Sequence, residues 1–246
     1  MKVINAKWEE RNTGLKTCEI IFENGDNLQI YFDQKIENDY DFSVVKVPIG
    51  YLELVHQLEQ INYRYLENQL SLTFDVSQID NINPKWSRLL RGFNYRELSK
   101  EEEINSVLSE VGKGMFETDR FSFDPFWKED ISSVRYQHWI RELFESGKTK
   151  FYVIEKGGKE MGFFSIKEES KSINSCPIAG IYNSYRFSGL IFVLTWYWLL
   201  ISKEKGYNKI MTCISSNNRV MLSSISKAFS FSVRDIYIVL RKTINC

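Results

Sequence analysis

The run from Phe187 to Ile201, FSGLIFVLTWYWLLI, constrains this chain more than any other stretch. It is apolar all round, so a helix built from it must be covered on every side, by lipid or by protein. At roughly 15 residues it falls short of the about 20 that a bilayer span needs. Lys203, Glu204 and Lys205 follow it closely. The reading is a helix buried in a protein core, with no membrane insertion. A chain of 246 residues can supply that core as one large domain or two small ones. The N-terminus, MKVINAKWEERNTG, is too polar for a secretory signal.

The residues leading into this helix carry the first chemical hint. IYNSYRFSGLIFVL, Ile181 to Leu194, reads as a strand end, a short polar loop and a helix opening at Gly189. A helix N-terminus presents unpaired N–H groups and the positive end of its dipole, so it favours an anion. Successive N–H groups in the preceding loop form a nest. Arg186 adds fixed positive charge, and Gly189 lets the backbone approach a ligand closely. The pattern is competent to hold a pyrophosphate. One glycine and one arginine ahead of an apolar helix is also a common arrangement, and an ordinary turn before a buried helix would look the same.

Composition removes several function classes. Lys plus Arg equals Asp plus Glu at 32 each, so nothing marks the whole chain as a nucleic-acid binder. Cys18, Cys176, Cys213 and Cys246 show no metal-ligand spacing, and His56 and His138 are far apart, so no metal site is expected. Scattered cysteines suit a reducing, cytoplasmic setting. Aromatic residues reach 15%, which suits a large core, an aromatic-lined pocket, or both.

Along the chain, TCEIIFENGDNLQIYF predicts a hairpin turning at Asn24-Gly25-Asp26. FSVVKVP is a strand, Tyr51 to Ile61 a helix with Leu54, Val55, Leu58 and Ile61 on one face, and NYRYLENQLSLTFDV a strand. These make a small α/β unit over residues 1–88. SQIDNINPKWS is polar and proline-bearing, and reads as a linker. Residues 89–246 then give the strand GFNYREL and a helix opening at SKEEE with capping-box spacing from Ser99 to Glu102. An irregular aromatic segment from Gly112 to Lys128 precedes a helix over Ile131 to Glu145, stopped by Gly147. A hairpin turns at Gly157-Gly158, and CPIAGIYN is a further strand. The apolar helix, the strand NKIMTCIS, a helix over Asn217 to Phe229 and the strand FSVRDIYIVLRK complete the chain. A doubly wound dinucleotide fold would alternate regularly and place its glycine-rich turn after the first strand. Here the candidate loop follows a meander.

The order β-α-α-β-β-β-α-β-α-β resembles the GNAT-type N-acetyltransferases. The resemblance implies an α+β fold with a mixed, mostly antiparallel central sheet flanked by helices, here preceded by the small N-terminal α/β domain. In that family the pyrophosphate of acetyl-CoA sits on a loop matched by Arg186-Phe187-Ser188-Gly189-Leu190-Ile191. Arg186 and Gly189 agree with the pattern, and Ile191 stands where the family has a small residue. The resemblance thus implies coenzyme contacts from Ile181, Tyr182, Asn183, Arg186, Phe187, Ser188, Gly189 and Leu190. It adds Asn217 and Asn218, where an ordinary helix cap is the alternative.

DRFSFDPFWKEDISSVRYQHWI, Asp119 to Ile140, is similar to a segment of the bacterial TDP-fucosamine acetyltransferases. That likeness implies a dTDP-linked amino-deoxysugar as acceptor, for surface polysaccharide, with Arg120, Trp127, Tyr136 and Trp139 lining its pocket. Core packing is the alternative for these aromatics. The mechanism implied is direct attack of the amine on the thioester, followed by protonation of the thiolate. The family's usual donor is a tyrosine seven residues beyond the asparagine of SSNN, and that position holds Ile225. Ser226 and Tyr237 are the substitutes the sequence offers. A different acyl donor or amine, and a non-catalytic binding module, are the rival readings. A homodimer is compatible with the chain, whose sequence does not set an oligomeric state.

Overall fold

The computed structural model describes residues 1–33, 38–81, 88–127, 131–186 and 188–244. The first part of the chain builds β1 (Lys2–Asn5), α1 (Lys7–Thr13), β2 (Thr17–Ile21), α2 (Leu28–Asp33), β3 (Phe42–Pro48), α3 (Leu52–Gln60) and β4 (Arg64–Asp75). A 3-10 turn covers Val76–Asn81, and the rest of the expected linker, 82–87, lies outside the described residues. Then come β5 (Phe93–Leu98), α4 (Glu101–Val111), α5 (Arg120–Phe123), α6 (Ile131–Glu145), β6 (Thr149–Lys156) and β7 (Lys159–Ser170). The chain closes with β8 (Ile173–Ser175), β9 (Ala179–Ile181), α7 (Leu190–Glu204), β10 (Lys209–Ser215), α8 (Arg219–Ala228) and β11 (Ser232–Thr243).

All the described strands join one mixed sheet in the order β1-β2-β3-β11-β4-β10-β8-β7-β6-β5, with β9 pairing β7 off that path. The pairs β2–β3 and β8–β10 are parallel and the others antiparallel. β4 lies between β10 and β11, so strands from before and after the linker share one ladder.

Alternate residues of each strand serve opposite faces. Phe151, Val153 and Phe163 pack with Ile104, Val107 and Ile140 of α4 and α6 on the first face. Tyr152, Ile154, Phe164 and Ile166 pack with α7 on the second. Ile20, Val45 and Val47 meet α2 and α3 on that same second face, and Leu72 and Ile214 meet Ile225 of α8. The apolar run is a core helix, as its composition requires: Phe192, Val193, Leu194, Trp198, Leu199 and Ile201 are all buried. Trp198 Nε1 donates to Asn174 Oδ1 at 3.0 Å, and Asn174 Nδ2 donates to Ser202 Oγ at 2.9 Å, which ties α7 to β8.

The structure corrects three expectations. Gly25 turns at φ +94°, but no hairpin follows it. The chain enters α2 instead, and β2 pairs in parallel with β3. Leu28 and Tyr31, three apart, share a helical face over Ile20 and Val45, and that burial overrides the turn signal. The cap of α4 falls one residue later than expected. Glu103, not Glu102, accepts from the amides of Ser99 and Lys100, at 2.9 and 3.0 Å. The single strand expected at CPIAGIYN is shorter, and a separate strand, β8, precedes it. The Gly157-Gly158 hairpin and the helix over Ile131–Glu145 form as expected.

Candidate functional site

A break between two parallel strands defines the site. β8 pairs with both β7 and β10, and its ladder to β10 runs from Lys209 to Met211. Cys176 N donates to Met211 O at 3.2 Å, the last rung. Beyond it the chain steps sideways. Ser165 fills the step: its amide and hydroxyl both donate to Ile178 O, and its Oγ accepts from Ile178 N. β9 then pairs with β7 alone, while β10 continues to Ser215 against β4. The sheet therefore splays, and the gap opens at the C-terminal ends of β9 and β10.

Ile178 bonds to Ser165, and Tyr182 N donates to Met161 O at 3.0 Å, both on the β7 side. The alternation of an antiparallel ladder turns the N–H and C=O of Ala179 and Ile181 the other way, into the gap. Gly180 lets the loop after α4 press directly on β9. A Cβ there would lie 2.2 Å from Met115 Sδ.

Ile181, Tyr182, Asn183, Arg186, Ser188, Gly189 and Leu190 are gathered where β9 runs into α7; Phe187 lies outside the described residues. Gly189 is the left-handed N-cap of α7 at φ +74°, with open space where a Cβ would stand. Its N–H and those that follow begin a helix whose cap lacks a side-chain partner. Arg186 is half-buried and engaged elsewhere. Its guanidinium donates to Glu117 at 3.0 Å, Gly114 O at 2.7 Å and Met115 O at 2.8 Å, clamping the loop after α4. Asn183 Nδ2 donates to Lys113 O at 2.8 Å in the same loop, and its Oδ1 is buried without a partner among the described residues. Tyr182 is buried among the α4 side chains, and desolvation raises its phenol well above the usual range. Ser188 Oγ donates to Tyr185 O.

Asn217 and Asn218 sit across the gap, where β10 meets α8. Asn218 Oδ1 accepts from Met221 N at 3.1 Å, an N-cap, and Asn217 N donates to Ser215 Oγ at 3.1 Å. Of the two substitutes for the missing acid, Ser226 is exposed and donates to Ser223 O within its own helix. Ile225 faces the core with Leu72 and Ile214. Tyr237 lies on β11, in one cross-strand row with Gln69 and Ser215. Two strand spacings, about 10 Å, separate β11 from β10. Burial and the Asp235 carboxylate raise the Tyr237 phenol.

The segment from Asp119 to Ile140 divides. Trp127 packs on Phe42, Phe121 and Phe126, and Trp139 stands beside Tyr136 within the α4–α6 core. Arg120 and Tyr136 belong instead to a charged layer between the helices and β2–β4. Arg135 grips Glu9 with contacts of 2.7 to 2.9 Å. Lys46 pairs with Glu19 at 2.7 Å. Arg120 stands 3.9 Å from Glu9 and 3.8 Å from Glu19, too far for hydrogen bonds, with its side chain only 13% exposed. Burial opposes the charge on Glu19, yet Lys46 and Arg120 hold its carboxyl below the usual range. Desolvation and Asp119 raise the Tyr136 phenol well beyond its ordinary value.

Glu67 of β4 completes this layer. Its residue is 5% exposed, and its Oε2 has no hydrogen-bond partner among the described residues. Burial raises its carboxyl, against the pull of the Ser215 hydroxyl and Arg120. Sequence reading missed Glu67, Glu9 and Arg135, because nothing local marks them as buried. The one available signal was Lys46, a charge inside the apolar run FSVVKVP. Among the described residues, no group of three or more His, Cys, Asp or Glu is arranged to hold a metal ion, and no helix is long and apolar enough to cross a membrane.

No family model and no curated protein matches the sequence. Solved structures do match. A GCN5-related N-acetyltransferase from Sphaerobacter thermophilus is similar over 99% of this chain and 76% of its own, with a TM-score of 0.68 at 13% identity. A tandem GNAT protein from the clavulanic acid biosynthesis pathway matches 93% of this chain and 75% of its own, at 0.54 and 10%. A GCN5-related N-acetyltransferase from Kribbella flavida matches 92% and 80%, at 0.52 and 12%. At these identities the likeness establishes the fold: the chain has the GNAT-like α+β architecture expected from its element order.

Proposed function

We propose that this protein is an acetyl-CoA-dependent N-acetyltransferase, acting by direct attack of an amine on the thioester. The observation that carries the reading is the splay between β9 and β10, which opens onto the N-terminus of α7. Acetyl-CoA fits that combination chemically. Its pantetheine arm carries amides, and these match the outward N–H and C=O of Ala179 and Ile181. Its pyrophosphate matches the first amides of α7, with open space over Gly189. Because Arg186 already holds the α4 loop, we assign the phosphate interaction to the backbone and the clamp to Arg186.

In this reading the thioester carbonyl lies beside Ile181 N–H, which stabilises the oxyanion as the amine adds. Holding amine and thioester together supplies the main acceleration. The departing thiolate takes its proton from Tyr237 or from water, since α8 carries no phenol at Ile225. The acceptor we assign is the amine of a dTDP-linked amino-deoxysugar. Arg120 makes no hydrogen bond to a described residue and so has donors for its diphosphate, while Trp127 and Trp139 are engaged with protein rings.

Titration calorimetry with acetyl-CoA tests the donor site, and thiol release over a panel of dTDP-amino sugars and simple amines tests the acceptor. Absence of acetyl-CoA binding at millimolar ligand sinks the reading. Binding without turnover of any amine assigns the chain to the non-catalytic alternative, which the apolar Ile225 motivates.

A further inference from the structure

We propose that Glu67 is the carboxylate that holds the acceptor's ammonium group and takes its proton before attack on the thioester. This deepens the transferase reading above and rests on it.

Three observations carry the assignment. The first is an unpartnered atom: Glu67 Oε2 is buried without a hydrogen bond to any described residue, in a residue 5% exposed. Buried carboxylates ordinarily find donors, so an orphan oxygen marks a place where a donor from outside belongs. The second is charge. Facing Glu67 or its immediate neighbours are Glu19 from β2, Lys46 from β3, Ser215 from β10, Asp119 and Arg120 at α5, Arg135 from α6 and Glu9 from α1. Lys46, Arg120 and Arg135 balance Glu9, Glu19 and Asp119. Glu67 is the acid left over, and a bound ammonium would match it. The third is position. Ser215 ends β10, one of the two strands whose C-terminal ends form the splay, and pairs with Gln69, two residues from Glu67 on the same face of β4. Glu67 thus stands one strand from the gap, on the face covered by α5, which packs on β4.

The step balances simply. The ammonium gives one proton to Glu67 Oε2, and the neutral nitrogen lone pair forms the bond to the carbonyl carbon. The C–S bond breaks with its electron pair on sulfur. The second nitrogen proton and the Glu67 proton leave, one to the thiolate and one to water. Burial suits Glu67 to this task, because it lifts the carboxyl toward the proton affinity of an amine.

The experiment compares the wild type with Glu67→Gln and Glu67→Asp. The probes are acetyl-CoA with ethanolamine, L-lysine, glucosamine and a dTDP-linked 4-amino-4,6-dideoxygalactose. Calorimetry reads the acetyl-CoA Kd, thiol release reads kcat/KM from pH 5 to 9.5, and thermal midpoints check folding. The expected result is an unchanged acetyl-CoA Kd and a roughly 10²- to 10⁴-fold loss of kcat/KM in Glu67→Gln at pH 7. That loss narrows as pH rises and the amine deprotonates in solution, and Glu67→Asp recovers part of the rate. The wild-type profile carries an acid limb from a carboxyl that Glu67→Gln lacks. The assignment is overturned by wild-type rates in Glu67→Gln, by a loss independent of pH, by a wild-type profile without the acid limb, or by no turnover of any probe despite acetyl-CoA binding. A wild type that binds no acetyl-CoA refutes the transferase reading itself, and the role of Glu67 with it.

Discussion

Replacing Gly189 with valine separates backbone strain from ligand space. Gly189 sits at φ +74°, and apart from its chain neighbours no atom of a described residue lies within 4 Å of where a Cβ would stand. The Cβ of valine has open space, so the cost to folding is assigned to the left-handed backbone, about 1–2 kcal/mol. For a chain of this size that lowers Tm by about 2–8 °C. The effect on acetyl-CoA is separate. An isopropyl group over the first turn of α7 occupies the space assigned to the pyrophosphate. Each displaced hydrogen bond to a charged group removes about 1.5–3 kcal/mol, or roughly 10- to 150-fold in Kd. Gly147→Val is the control. It has the same conformation, φ +65°, and the same open surroundings, but it lies at the end of α6. We expect both variants to lose similar stability by thermal denaturation and only Gly189→Val to lose affinity by calorimetry. Unchanged affinity in Gly189→Val, or equal weakening in both, would refute the placement of the coenzyme.

Further expectations follow from the same contacts. Arg241 donates to both oxygens of Asp124 at 2.8 Å, and Asp124 is 4% exposed; Arg241→Met strands that carboxylate and is expected to cost about 3–5 kcal/mol in urea unfolding. Ile225→Tyr, which installs the phenol expected from the family pattern, overpacks the contact with Leu72 and Ile214; a loss of about 1–3 kcal/mol is expected in the same assay, without a gain in thiol release. The raised Glu67 carboxyl favours the folded state at low pH, and its contribution is lost as pH rises through the folded-state value. The stability of Glu67→Gln relative to wild type is therefore expected to increase from pH 4 to pH 8; a constant difference would show that burial does not penalise the charge.

Much of the fold was legible because its signals are local. The apolar run needed no neighbours to be recognised as a buried helix, since every face of it is apolar. Gly157-Gly158 and Gly147 marked chain reversals through left-handed backbone that few other residues adopt. The loop into α7 was located for the same reason. Where a local signal met a stronger non-local one, it lost. The Asn24-Gly25-Asp26 turn yielded to the burial of Tyr31, whose hydroxyl is bonded by Tyr63 from 32 residues away.

The site was legible only in outline. Ile181 and Gly189 follow from the order of strand, loop and helix, and Asn218 from capping. The splay does not, because it depends on where the β8–β10 ladder stops and on the Ser165 contacts that carry β9 aside. Nor could the role of Arg186 be read, since its three acceptors lie 69 to 72 residues away in sequence.

By itself, the sequence determined most of the element order after the linker, the core helix and the position of the loop that precedes it. The tertiary structure decided that strands from both sides of the linker share one sheet, that β9 and β10 part, and that Glu67 is buried one strand from that parting, with an oxygen that no described residue bonds. The physical reason is range. Periodicity and turn chemistry act over a few residues, whereas the charge and hydration of a side chain depend on whatever the whole fold packs around it.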